Sequence, residues 1–200
     1  MSSFKKKYFY KLTTNVVSLL FNFITATFVP KQLGAVNYGN YSYIINVFTQ
    51  IIAFLDFKSS TYFYVKLSQN KDDTKLVSFY FHYVLIVFIT LVLISGIFSL
   101  DCIKYYVFKE QHIVSILFGM VFAFLLWLTD IATSFMDAIG ETIILERVKI
   151  YFKLFSLFSL SIILVSQLLT LENYFLLQIS SAVLVIFFIF YFIIGSKENM

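Results

Sequence analysis

Six long apolar runs, separated by short polar stretches, decide what this chain can become. They cover approximately residues 8–30, 41–65, 76–100, 113–137, 148–169 and 174–194. Each is long enough to cross a hydrocarbon layer about 30 Å thick, which takes about 20 helical residues. The runs are continuously apolar. A membrane barrel instead shows alternation over strands of about 10 residues, so that class is excluded. In hydrocarbon the backbone must satisfy its own polar groups, and a helix does so within one segment. The expected fold class is an all-α membrane protein. Residues 1–200 are expected to form a single six-helix transmembrane bundle.

Composition agrees. Hydrophobic residues make up 60% of the 200, charged ones 13%, and the mean hydropathy is +0.87. Soluble domains carry about 25% charged residues. Disorder needs low hydrophobicity and high net charge, so it is excluded as well. The net charge of +4 sits between apolar runs, which points to membrane topology rather than to nucleic acid. Cys102 is alone, so no intramolecular disulfide can form.

Orientation follows from the basic residues of short loops. With the N-terminus inside, the inner side receives Lys5, Lys6, Lys7, Lys11, Lys66, Lys71, Lys75, Arg147, Lys149, Lys153 and Lys197. The outer side receives Lys31, Lys104 and Lys109. This asymmetry predicts both termini on the cytoplasmic side and Cys102 outside. The first run has no small-residue cleavage pattern and is expected to stay as an uncleaved span. Pro30, which has no N–H, is expected to end its helix.

Polar residues recur inside the runs. Asn15, Ser18, Asn22 and Thr25 are spaced three, four and three, which puts them on one helical face. Asn46, Thr49, Gln50, Asp56 and Ser60 fall within an arc of roughly 120°. Ser156, Ser159, Ser166, Gln167 and Thr170 form a third stripe, read as contacts between packed helices. The amides of the first two runs are read as the wall of a hydrated pathway. Asp56, Lys58 and Asp130 are charged at membrane depth and are candidate coupling or cavity residues. Asp56 and Lys58 point to nearly opposite sides of one helix. Lys58 either pairs with Asp130 or reaches to the inner headgroups. His82 is read as structural or interfacial, and Trp127 as packing.

No catalytic constellation stands out. Neither His82 nor His112 has an aspartate at acyltransferase spacing, and Asp72-Asp73-Thr74-Lys75 reads as a solvated loop. No Gly-Lys-Ser/Thr phosphate loop occurs. Two histidines and one cysteine argue against a metal site. No enzyme activity, metal or cofactor is expected.

The stretch Asn15-Val16-Val17-Ser18-Leu19-Leu20, then Pro30-Lys31-Gln32-Leu33-Gly34, then Tyr38-Gly39-Asn40-Tyr41 resembles the opening of polysaccharide-export flippases. These belong to the multidrug/oligosaccharidyl-lipid/polysaccharide exporter superfamily. Asp137-Ala138 with Gly140, followed by Arg147, is similar to that family's cytoplasmic turn. Gly34 and Gly39 are expected to allow tight turns in the outer loop. The resemblance implies a multi-pass protein of the bacterial inner membrane, working in lipopolysaccharide or capsule export. Its substrate would be an undecaprenyl-linked oligosaccharide moved between leaflets. It also implies two six-helix lobes around a central cavity with a partly cationic lining, for which Lys58 is the only deep cation expected. With six runs, this chain is expected to be a half-length or truncated member. It would pair with a second six-helix lobe or with itself, or be a remnant. The alternatives are a multidrug cation exporter of the same superfamily and a membrane assembly subunit without transport of its own.

Overall fold

The computed structural model describes residues 3–71, 73–109 and 111–197. Seven helices follow in order: α1 Ser3–Asp56, α2 Ser59–Gln69, α3 Thr74–Phe98, α4 Asp101–Val107, α5 Ile113–Ile139, α6 Thr142–Val165 and α7 Leu171–Lys197. Among the described residues, five helices are long and apolar enough to cross a membrane. The chain is thus an all-helical protein with several membrane-crossing segments.

α1 is the unusual element. Its 54 residues would measure about 80 Å if straight, far more than a bilayer core. Gly34 interrupts it with φ 79° and ψ 157°, a backbone conformation essentially reserved for glycine. The contacts show the result. Thr14 reaches the Glu146 carbonyl and Gln32 the Leu164 carbonyl, both 132 residues ahead. A constant offset means that the part before Gly34 runs parallel to α6. Beyond Gly34, Asn40 meets Gln111 and Asp56 meets Trp127, both at an offset of 71. That part runs parallel to α5. A turn of three residues, Gly140 to Thr142, joins α5 to α6, and Phe152–Phe188 and Phe118–Phe175 pack both onto α7. Lys7 and Lys71 both bond carbonyls at the end of α5. The two halves of α1 therefore run in opposite directions.

Two expectations from the sequence are corrected here. Pro30 does not end the helix: α1 continues through it to Gly34. Membrane helices tolerate an internal proline because side chains and neighbouring helices satisfy the freed backbone groups. Gly39 makes no turn either. It is helical, and Gly34 alone supplies the positive φ in this stretch. The remaining boundaries shift as well. The run at 41–65 is divided between α1 and α2 by Phe57 and Lys58, and the run at 148–169 begins six residues earlier, at Thr142.

Packing explains the arrangement. Ile44, Phe48, Phe108, Ile116 and Phe175 are fully buried in one cluster shared by α1, α5 and α7. Gly119 of α5 makes the close approach possible: a methyl group there would sit 2.1 Å from Ile44 Cγ2. α3 joins through Val87 and Leu91. A second cluster ties Val29 and Leu33 to Leu160, Tyr174 and Leu177. Outward faces stay apolar, with Phe23, Phe79 and Phe158 exposed, as hydrocarbon surroundings require.

Candidate functional site

The turn after α5 organises one end of the bundle. Gly140 takes the left-handed conformation at φ 96°. Its N–H bonds Asp137 O, and the Glu141 N–H bonds Met136 O. This is the double bond pattern that closes many helices. Lys7 Nζ donates to Gly140 O at 2.9 Å and Lys71 Nζ to Ile139 O at 3.2 Å. Two cations thus satisfy carbonyls where the helix dipole is negative. Lys11 lies 4.0 Å from Asp137. Asp72, part of the solvated loop read from the sequence, lies outside the described residues.

From this turn a charged cluster extends inward between α1, α5 and α6. Glu146 is 3% exposed, and its carboxylate lies 3.7 Å from Lys149 Nζ. Arg147 donates to the Tyr10 hydroxyl at 2.8 Å and stands over that ring at 5.0 Å. Lys149 acts electrostatically on Asp130 across the α5–α6 gap and on Lys153 one turn along. Lys153 is the twelfth residue of the 24 in α6, close to the helix midpoint. The sequence reading put Arg147, Lys149 and Lys153 in or beside an inner loop. They are helical because α6 starts at Thr142. Lys58 is therefore not the only deep cation, and Lys149 and Lys153 are the better placed ones.

Lys58 is exposed and its residue caps α2 in the left-handed region at φ 60°. Among the described residues it forms no ion pair with Asp130, so the pairing reading is dropped. Asp130 is itself exposed.

Asp56 is different. It is 8% exposed and sits at the break between α1 and α2. Its Oδ1 accepts from Ser59 Oγ at 3.0 Å, Trp127 Nε1 at 3.2 Å, the Ser60 N–H at 3.3 Å and the Tyr80 hydroxyl at 3.4 Å. Its Oδ2 accepts from Ser60 Oγ at 2.8 Å. Nearby, the Tyr83 hydroxyl donates to Leu55 O. Donors from three helices thus converge on one carboxyl. Trp127, read as packing from the sequence, is one of them.

The amide stripe is placed as follows. Asn15, Asn22, Asn46 and Gln50 are exposed, and their side chains have no hydrogen-bond partner among the described residues. Ser18 and Thr25 instead bond back to Thr14 O and Phe21 O of their own helix. Gln50 borders an open, mainly apolar groove with Val47, Phe54, Ile94 and Phe98. Leu33 is buried with Tyr174, and Tyr38 stacks on Tyr41, which packs against Tyr174 and Phe175. The motif around Gly34 therefore holds the turn of α1 against α7. His82 bonds the Ser78 carbonyl and is exposed, as a local structural contact.

No protein-family model, characterised protein or solved structure matches this chain.

Proposed function

We propose that the chain crosses the bacterial inner membrane six times, with both termini cytoplasmic, and forms one lobe of a lipid-linked oligosaccharide flippase. The six crossings would be the two halves of α1, the second extended by α2, then α3, α5, α6 and α7. The observation that carries the reading is the set of unpartnered amides at Asn15, Asn22, Asn46 and Gln50 on the two opposed halves of α1. An amide left in hydrocarbon without a partner costs several kcal/mol. A hydrated, sugar-lined cavity removes that cost, and sugar hydroxyls are matching partners. Lys149 and Lys153 supply positive charge for a diphosphate headgroup, and they speak against a cationic drug as cargo. The resemblance around Leu33-Gly34 and Tyr38-Gly39-Asn40-Tyr41 points the same way. A second copy or a second six-helix chain completes the cavity, and the two lobes rock about it in alternating access. An ion gradient drives the cycle through Asp56 or Asp130.

The test is a vesicle assay with a fluorescent undecaprenyl-linked oligosaccharide, read by its accessibility to an outside quencher. Purified protein should move it between leaflets, and Asn22→Leu with Asn46→Leu should reduce the rate at least tenfold. No movement by the wild-type protein, alone or with whatever co-purifies with it, would refute the reading. If Asp130→Asn leaves both rate and ion dependence unchanged, Asp130 is not the coupling residue.

A further inference from the structure

The Asp56 carboxyl has a feature that a purely structural cap does not need. Five donors act on it, and four of them crowd onto Oδ1. Among the described residues no cation pairs with it. The backbone beside it is held in an uncommon conformation, with Phe57 at φ 44° and Lys58 at φ 60°. The donors belong to α2, α3 and α5, so one carboxyl positions four helical segments around a break.

We propose that Asp56 is a proton-binding latch for the α1–α2 break. Ionised, it grips Tyr80 of α3 and Trp127 of α5. A proton from water enters on Oδ2, where the sole partner is Ser60 Oγ at 2.8 Å. A hydroxyl can reverse from donor to acceptor, so that bond survives the change. Oδ1 then becomes a neutral carbonyl oxygen. Its charge-assisted bonds fall to about half their strength, and it has too few lone pairs for four donors. Trp127 Nε1–H and the Ser60 N–H can only donate, so they and Tyr80 compete for it. The grip of α3 and α5 on the break loosens, and no covalent bond other than the new O–H is made.

The other groups around the latch are accounted for. Lys58 is exposed at the head of α2, the Tyr83 hydroxyl is engaged by Leu55 O, and Asp130 lies three residues beyond Trp127 and is exposed. The inference deepens the coupling part of the reading above, and it chooses Asp56 over Asp130. Its test needs no substrate, so it can fail while the vesicle assay succeeds, and the reverse.

Trp127 is the only tryptophan in the chain, which makes it a built-in reporter. Its emission, excited selectively, is followed from mildly acidic to mildly alkaline buffer in lipid nanodiscs. The wild type and Asp130→Asn should show one titration. Asp56→Asn should lose it and emit like the acidic limb of the wild type. A flat wild-type profile, or a titration that persists in Asp56→Asn, overturns the proposal. If Asp56→Asn does not fold, infrared difference spectra of the wild type and Trp127→Phe decide. The band of a protonated carboxyl should appear on acidification and shift in Trp127→Phe. Absence of the band, or an unshifted band, overturns the proposal.

Discussion

The indole N–H of Trp127 lies 3.2 Å from Oδ1 of Asp56, a contact across 71 residues of chain. It fixes the level at which α5 stands against the end of α1. Replacing Trp127 by Phe keeps the ring stack with Tyr83 and Phe124 and removes only the donor. A hydrogen bond to a charged acceptor contributes about 1.5–3 kcal/mol. A loss of that size should appear as a lower melting temperature in detergent. Phe at 127 with wild-type stability would mean that the contact holds nothing.

Gly34 should be the glycine of α1 that cannot be replaced. Its φ of 79° with ψ of 157° costs a residue with a side chain about 1–3 kcal/mol. Gly39 is helical with open space around it, so Gly39→Ala should be neutral or stabilise by up to about 1 kcal/mol. Thermal unfolding of the two single variants separates these outcomes. Equal effects would contradict the placement of the turn.

Close packing of α1 on α5 makes a third prediction. Gly119→Ala puts a methyl group against Ile44, which should cost about 1–3 kcal/mol. Ile44→Ala in the same chain removes the obstructing atoms. The double variant should therefore be more stable than the sum of its parts predicts. Strict additivity in a double-mutant cycle would argue against the contact.

Lys58 offers a gain rather than a loss. It holds a left-handed conformation at φ 60°, which costs an L-residue about 1–2 kcal/mol. Glycine removes that cost but loosens the unfolded chain by about 0.5–1 kcal/mol. Lys58→Gly should leave a net stabilisation of about 0.5 kcal/mol, seen as a small rise in melting temperature. A fall would show that the lysine side chain contributes more than its exposure suggests.

The apolar runs made the helices legible, because length and absence of charge are local properties that hydrocarbon enforces. Gly34 was legible as a turn for the same reason. Pro30 misled because the rule that proline ends a helix comes from water, where no neighbouring helix repairs the gap. The start of α6 was hidden by Glu146, Arg147, Lys149 and Lys153, charges that read as a loop. In the structure Glu146 is buried beside Lys149 and Arg147 packs on Tyr10, so those charges are carried into the helix. The Asp56 cluster was half legible. The acid and its serines are neighbours in sequence, but Tyr80 and Trp127 come from other helices, and no local spacing announces them. The left-handed pair Phe57 and Lys58 was not legible at all, since neither residue type favours that conformation.

The parallel pairing of the first part of α1 with α6 sets an order of assembly. Thr14 and Gln32 contact residues made 132 positions later. At about 5–20 residues per second, translation reaches those partners roughly ten seconds or more afterwards. Until then the opening segment stands in the membrane beside the insertion machinery with its amides uncovered. The part of the chain that leaves the ribosome first is thus among the last to find its permanent neighbour. A chaperone or insertase with a polar intramembrane groove would be the natural temporary host.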